Sequence, residues 1–190
     1  MEPETVVLDR DDMRRSLVRV AHEIVEKNPA GDLAIVGIHR RGALLARRIH
    51  ALVGELRGAP LPLGDLDISF YRDDIATRGA TGPVVHSTHL DFPLDGRTVI
   101  VVDDVLYTGR TARAAIDAIF DYGRPARVQL AVLADRGHRE LPIRPDYIGK
   151  NLPTGRGDRV NVRVEELDGV DEVTIRPGPD APAVREAEAA

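Results

Sequence analysis

Two adjacent carboxylates, Asp103 and Asp104, lie between an apolar run and a hydroxyl-rich turn in VIVVDDVLYTGRT, residues 99–111. An ionised carboxylate only accepts hydrogen bonds, so a pair of them suits a partner with two donors, such as a ribose diol, or a metal ion. The Thr-Gly-Arg-Thr that follows opens an alanine-rich amphipathic run. The free N–H groups, hydroxyls and dipole of such a helix start attract an anion. Diol on one side and phosphate on the other describes a ribose 5-phosphate. VIVVDD would also serve as the metal-binding strand of a P-loop nucleotidase, but no G-x-x-x-x-G-K-[ST] string occurs, and no G-x-G-x-x-G marks a dinucleotide site.

The elements that must carry these residues follow from periodicity. LDRDDMRRSLVRVAHEIVEKN has Met13, Leu17, Val20, Ala21 and Ile24 at helical spacing, with Asp9 placed as a cap. LAIVGI (33–38) reads as a buried strand, Gly42 opens a helix through ALLARRIHALVGEL, and GDLDISFY alternates as another strand. Residues 72–97 are polar and weakly patterned and admit a short hairpin through PVVHSTHLDF. RTVIVV (97–102) is a strand, RTARAAIDAIFDYG a helix ending at Gly123, RVQLAVLA (127–134) a strand, and VNVRV and DEVTIR are final strands. Continuous apolar strands alternating with helices predict an α/β domain with a mostly parallel twisted sheet, spanning residues 1–175, with 176–190 a disordered tail. In open parallel sheets ligands bind beyond the carboxyl ends of the strands, where the Asp pair falls.

Composition narrows the classes. The chain of 190 residues is 43 % hydrophobic and 30 % charged, with a net charge of −5 that argues against wholesale nucleic-acid binding while permitting a local basic patch. The absence of cysteine excludes disulfides, thiolate catalysis and cysteine-ligated zinc. No apolar run reaches the roughly 18 residues of a membrane span, and the acidic N-terminus is unlike a secretory signal, so a cytoplasmic protein is expected.

VIVVDDVLYTGRT resembles the signature of the type I phosphoribosyltransferases, which use 5-phosphoribosyl 1-pyrophosphate (PRPP). The resemblance implies that fold, with a small hood and a flexible active-site loop. It implies that Asp103 and Asp104 hold the ribose hydroxyls and that Tyr107, Thr108, Gly109, Arg110 and Thr111 form the rest of the PRPP site. VGIHRRG (36–42) matches the pyrophosphate loop of such enzymes, often containing a cis peptide, at His39, Arg40, Arg41 and Gly42. YRDDIATRGATG occupies the place of the closing loop, with Tyr71 and Arg72 as candidates to enter the site, beside Asp73 and Asp74. Mg²⁺ is implied, held mainly through PRPP.

YRDD, VDDVLYTGRT and DRGHRELPIRPDYIGKNLPT together resemble the PyrR family, bifunctional pyrimidine-operon attenuation regulators and uracil phosphoribosyltransferases, from about residue 6 to about 173. That resemblance implies uracil as acceptor, UMP or UTP as effectors, a leader-mRNA hairpin as partner, and a homo-oligomer, dimer or higher, with VGELRGAPLPL and VVHSTHLDF as candidate contacts. Tyr147 and Ile148 match the base-binding positions of the hypoxanthine enzymes, and a purine phosphoribosyltransferase without an RNA role is the alternative. Tyr107 and Thr154 stand where the purine enzymes carry Asp. Residues 136–163 hold seven Arg or Lys against three acids, and Arg15, Arg19 and His22 recur along the first helix opposite its apolar stripe. Such patches supply phosphate contacts. The resemblance points within them to Arg19, His22, Lys27, His138, Arg139, Arg144 and Lys150 for RNA.

Overall fold

The computed structural model describes residues 4–29, 31–71 and 87–179. The chain runs β1 (Thr5–Leu8), α1 (Arg10–Lys27), β2 (Leu33–Ile38), α2 (Arg41–Arg57), β3 (Leu63–Leu66), β4 (Thr98–Leu106), α3 (Arg110–Tyr122), β5 (Arg127–Asp135), β6 (Tyr147–Asn151), β7 (Arg159–Arg163), α4 (Glu165–Asp168) and β8 (Glu172–Arg176). Five strands form one parallel sheet in the order β3-β2-β4-β5-β6, and β1-β8-β7 form a separate antiparallel sheet, the expected hood. No helix among the described residues is long and apolar enough to cross a membrane.

Apolar side chains on both faces of the sheet explain its uninterrupted hydrophobic strands. Leu33, Ile35, Ile100 and Val102 pack with α1, α2 and the hood, while Val36, Ile38, Val99 and Val101 pack with α3. Asp9 caps α1 through a reciprocal capping box with Asp12. At its other end the Asn28 side-chain amide donates to the Ile24 carbonyl, Gln129 Oε1 (3.1 Å) and Tyr147 Oη (3.0 Å), and Tyr147 Oη donates to Gln129 Oε1 (3.0 Å). That buried network joins α1 to β5 and β6. Arg48 on α2 reaches the hood through paired hydrogen bonds to Glu166 and Asp171, and although burial opposes its charge the two carboxylates raise its pKa further.

The strand order decides where a ligand can go. From β2 the chain goes outward to β3 and then returns to the other side as β4, so the turns after β2 and β4 diverge and leave a crevice between them.

Several elements differ from expectation. GDLDISFY is a strand only to Leu66, because Asp67 Oδ1 accepts both the Ser69 N–H (2.8 Å) and its hydroxyl (2.5 Å), turning the chain and leaving Phe70 74 % exposed. RTVIVV continues through the Asp pair to Leu106, paired with β5. TVVL near the N-terminus, not assigned from sequence, is β1, and the two final strands join it rather than the parallel sheet. Past the expected boundary at 175, Arg176 still belongs to β8 and Gly178 is buried and hydrogen-bonded. Residues 180–190 of the expected tail and 83–86 of the expected hairpin lie outside the described residues. His89, in the remainder, makes an isolated antiparallel bridge with Asp65.

Tyr147→Phe should leave the buried Asn28 and Gln129 amides short of a partner, lowering stability by about 1–3 kcal/mol in urea denaturation.

Candidate active site

The crevice is closed at its base by a backbone contact. Gly42, in the first turn of α2, lies against the end of β4: a Cβ there would meet the Val102 carbonyl oxygen at 2.6 Å, Asp103 Cα at 3.1 Å and Asp103 Oδ1 at 3.3 Å. Gly37 is as confined, its notional Cβ 2.4 Å from Ala43 Cα. The two glycines set the β2–α2 turn directly against the Asp pair, and the His39–Arg40 peptide in that turn is cis.

Across Asp103 and Asp104 the side-chain alternation of β4 slips by one. Val102 packs with the cluster beneath α1 and α2, yet so does Val105, and Leu106 joins the α3 cluster with Val101. Asp103 Oδ1 accepts the Asp104 N–H (2.9 Å), and Asp104 Oδ1 accepts the Val105 N–H (2.8 Å). Asp103 is only 8 % exposed, and Asp104 is half-buried. Next, Gly109 takes φ +95° as the N-cap of α3, with no side-chain cap. Unlike α1, this helix has no capping carboxylate among the described residues: its Arg110 N–H donates to Thr108 Oγ1 (3.4 Å), an arrangement compatible with an anion at the first turn.

A second wall lies beyond β5 and β6. A cleft of about 680 Å³ is lined by Asp135, Arg136, His138, Ile148, Asn151 and Thr154, among others. Arg136 is 8 % exposed, its guanidinium lies 4.1 Å from the centre of the Tyr107 ring, and its Nε has no hydrogen-bond partner among the described residues. Tyr107 therefore joins the β4–α3 turn to the cleft. Sequence reasoning did not assign Asp135, Arg136 or Asn151 to the site. Their only signal was position at the carboxyl ends of two parallel strands.

The structure sets the turn that holds His39, Arg40 and Gly42 against Asp103 through Gly42, follows the Asp pair with the Tyr107–Thr111 turn, and sets Ile148 in the cleft wall. Other expected residues are engaged elsewhere. The Arg41 guanidinium is held by Asp168 of α4 (2.8 and 3.1 Å from Nη2), so its side chain serves the hood rather than the loop. Arg110 pairs with Glu140 (2.9 Å). Tyr147 is 1 % exposed with its hydroxyl bound inside the core, so it cannot stack on a base. Tyr71 donates to Asp121 Oδ2 (2.7 Å), which pushes its pKa up to about 12 and turns it toward α3. Arg72, Asp73 and Asp74 lie outside the described residues.

The basic residues divide into two groups. Arg19, on α1, donates to the carbonyls of Ile148 (3.0 Å) and Gly149 (2.6 Å), and Lys27 to that of Asp146 (3.3 Å). With exposed His22 and Lys150, whose charge acts on Asp12, they share the α1–β6 face. His138, Arg139 and Arg144 instead line the cleft. Arg139 is bound to Asp135 (2.5 Å) and to the Tyr107 and Ile143 carbonyls (2.9 Å each), which correlates with the cleft's shape rather than with an RNA face.

No group of three or more His, Asp or Glu among the described residues gathers to hold a metal. The hard oxygens of Asp103 and Asp104 suit Mg²⁺ as outer partners of an ion carried in by a phosphorylated ligand. Asp65, beside the β2–α2 turn, accepts from both His39 Nε2 and His89 Nδ1 at 2.9 Å. Burial would raise its pKa, but the hydrogen bonds from His89 and His39 outweigh this and hold it below the usual value, while the Asp65 contact raises that of His89.

Residues 7–167 match the phosphoribosyl transferase domain family. The chain is 59 % identical to the bifunctional protein PyrR of Roseiflexus sp. (strain RS-1), over 90 % of this chain and 94 % of that one. It is 51 % identical to the bifunctional protein PyrR of Listeria welshimeri, over 92 % and 97 %. Among solved structures, the hypoxanthine phosphoribosyltransferase of Trypanosoma cruzi superimposes with a TM-score of 0.68 at 14 % identity, covering 92 % of this chain and 97 % of that one. One from Staphylococcus aureus gives 0.65 at 17 %, covering 89 % and 90 %. At such identities these two show the fold alone.

The His89–Asp65 contact should stabilise fully below the ordinary histidine value of 6.5 and fade as pH rises through the raised one. On the Asp65 side it persists above 3.8 and is lost as pH falls through the lowered value. Titration followed by NMR should place the His89 midpoint above 6.5, and Asp65→Asn should return it toward that value.

Proposed function

The chain belongs to the bifunctional PyrR proteins of the phosphoribosyltransferase family, and from that premise we propose that it makes UMP and pyrophosphate from PRPP and uracil and binds a pyrimidine-leader RNA hairpin. The observation that carries the catalytic half is the meeting of three features at one switch point of the sheet. These are the Gly42 turn, the Asp103–Asp104 pair and the uncapped start of α3.

On this reading the α3 N–H groups and the Thr108 and Thr111 hydroxyls hold the 5-phosphate. Asp103 and Asp104 accept from the ribose hydroxyls, and Arg40 and the loop amides face the diphosphate. Uracil lies in the cleft past Tyr107, against Ile148 and Arg136. Its N1 gives up its proton to water and forms the new bond to C1, with inversion, as pyrophosphate departs with the electron pair of the broken C1–O bond. Charge grows on that diphosphate as the bond breaks, so fixed donors at the loop stabilise the transition state more than the ground state. Bound Mg²⁺ supplies further neutralisation of the diphosphate. The chain's own work is alignment and charge placement in a crevice walled by the hood and the β5–β6 turn.

The α1–β6 face is the RNA half: Arg19, His22, Lys27 and Lys150 form a basic strip on a protein whose net charge is −5. A homo-oligomer is part of the reading. Phe70, next to Tyr71, and Phe120 and Tyr122, on either side of Asp121, are exposed apolar side chains that a subunit contact could cover.

The deciding assay offers uracil, hypoxanthine, guanine and orotate separately with PRPP and Mg²⁺. UMP from uracil alone supports the reading, and product from a purine overturns it. Asp104→Asn and Gly42→Ala should each lower kcat/KM about a hundredfold, the first by removing an acceptor, the second by pushing the loop off β4. For RNA, Lys150→Ala should weaken binding and reduce the slope of log K against log salt by about 1.

A further inference from the structure

Two residues past β8 the chain packs on the turn that follows Thr154 of the cleft. Gly178 is buried flat against Gly157, and a Cβ at 178 would meet the Gly157 carbonyl carbon and oxygen at 2.5 Å. Its N–H donates to Asp158 Oδ1 (3.1 Å), while Asp158 Oδ2 accepts the Gly155 N–H (2.6 Å). The Asp158 N–H returns to the Gly155 carbonyl (3.2 Å), closing the turn. The backbone donors of Gly178 and Gly155 hold the Asp158 carboxyl below its usual range.

That turn continues directly into the cleft roof. His138 Nε2 donates to the Thr154 carbonyl (2.7 Å), and Thr154 Oγ1 donates to the Arg136 carbonyl (3.1 Å). The Gly155 carbonyl accepts from Arg136 Nη2 (3.0 Å), and the Arg156 carbonyl accepts from Tyr107 Oη (3.3 Å). Arg136 forms no ion pair among the described residues. Its place over Tyr107 is set by carbonyls of this turn.

We propose that Asp158 and Gly178 form a clamp that sets the roof of the cleft, so that the segment after β8 is a working part of the nucleobase site and Asp158 is a positioning residue. The clamp acts through Arg136, His138 and Tyr107 and touches no ligand itself. A carboxylate suits the task because its two oxygens accept two N–H groups at once, one from each segment, whereas a carboxamide offers a single acceptor oxygen. The proposal rests on reading the cleft as the uracil site.

The test compares the full chain with chains ending after Pro179 and after Arg176, and with Asp158→Asn. Ending at Pro179 should match the full chain. Ending at Arg176, and Asp158→Asn, should each raise KM for uracil about tenfold, with kcat and KM for PRPP within about twofold. In both, the Gly155 amide should exchange hydrogen faster without any ligand present. Unchanged Gly155 exchange, or an unchanged KM for uracil, overturns the clamp. So does a joint rise of both KM values with a falling unfolding midpoint, which marks a merely structural role. A full chain that makes no UMP from uracil overturns the reading of the cleft instead, and the exchange measurement still decides whether the clamp exists.

Discussion

The Val102 carbonyl oxygen and the backbone of Gly42 share a space that no side chain can enter. Because a Cβ at 42 would come within 2.6 Å of that oxygen, the first turn of α2 can rest on the end of β4 only as glycine. Everything else at the site follows from this contact. It sets the His39–Gly42 turn against Asp103, and so makes the crevice between β2 and β4 narrow enough for one ligand to touch both. The strand order supplies the crevice, and the glycine sets its width.

The charges around that crevice are mostly engaged in holding it open at a fixed shape. Arg41 and Arg48 tie α2 to the carboxylates of the hood, Arg139 joins the β5 end to the Tyr107 turn, and Asp65 gathers two histidines beside the β2–α2 turn. Partly buried pairs of this kind do little net for stability, but their directional hydrogen bonds specify one arrangement of segments far apart in the chain. The same economy separates the two basic groups. Cations on α1 grip β6 by its carbonyls from one side, and the other face of β6 contributes Ile148 to the cleft. One edge strand thus belongs to both surfaces.

The helices and most of the parallel strands were legible from local pattern. LAIVGI is β2 at its expected bounds, Asp9 caps α1, and α3 ends at Gly123. Errors came where a side chain's own hydrogen bonds overrode the alternation of strand residues. Asp67 stops β3 by capturing Ser69, and Asp103 and Asp104 let β4 continue while its faces exchange. Tyr147 was misread for a different reason. An aromatic at the start of an edge strand can face either way, and only the Asn28 and Gln129 partners, remote in sequence, decide that it faces inward.

The sequence by itself determined which chemistry is present: adjacent carboxylates before a glycine-opened helix, a glycine-bearing turn rich in cations, and a basic stretch before the last strands. These are properties of residues a few positions apart, written in local order. Tertiary structure alone decided what each of those groups is bound to. Arg41 is claimed by Asp168, Arg136 is seated by the 155–156 carbonyls, and Gly178 closes on Asp158 across the site. The physical reason is that a side chain's capacity to donate, accept or carry charge is intrinsic. Its partner, and with it its role, is fixed by which segments the packing of the sheet and hood brings within hydrogen-bond reach.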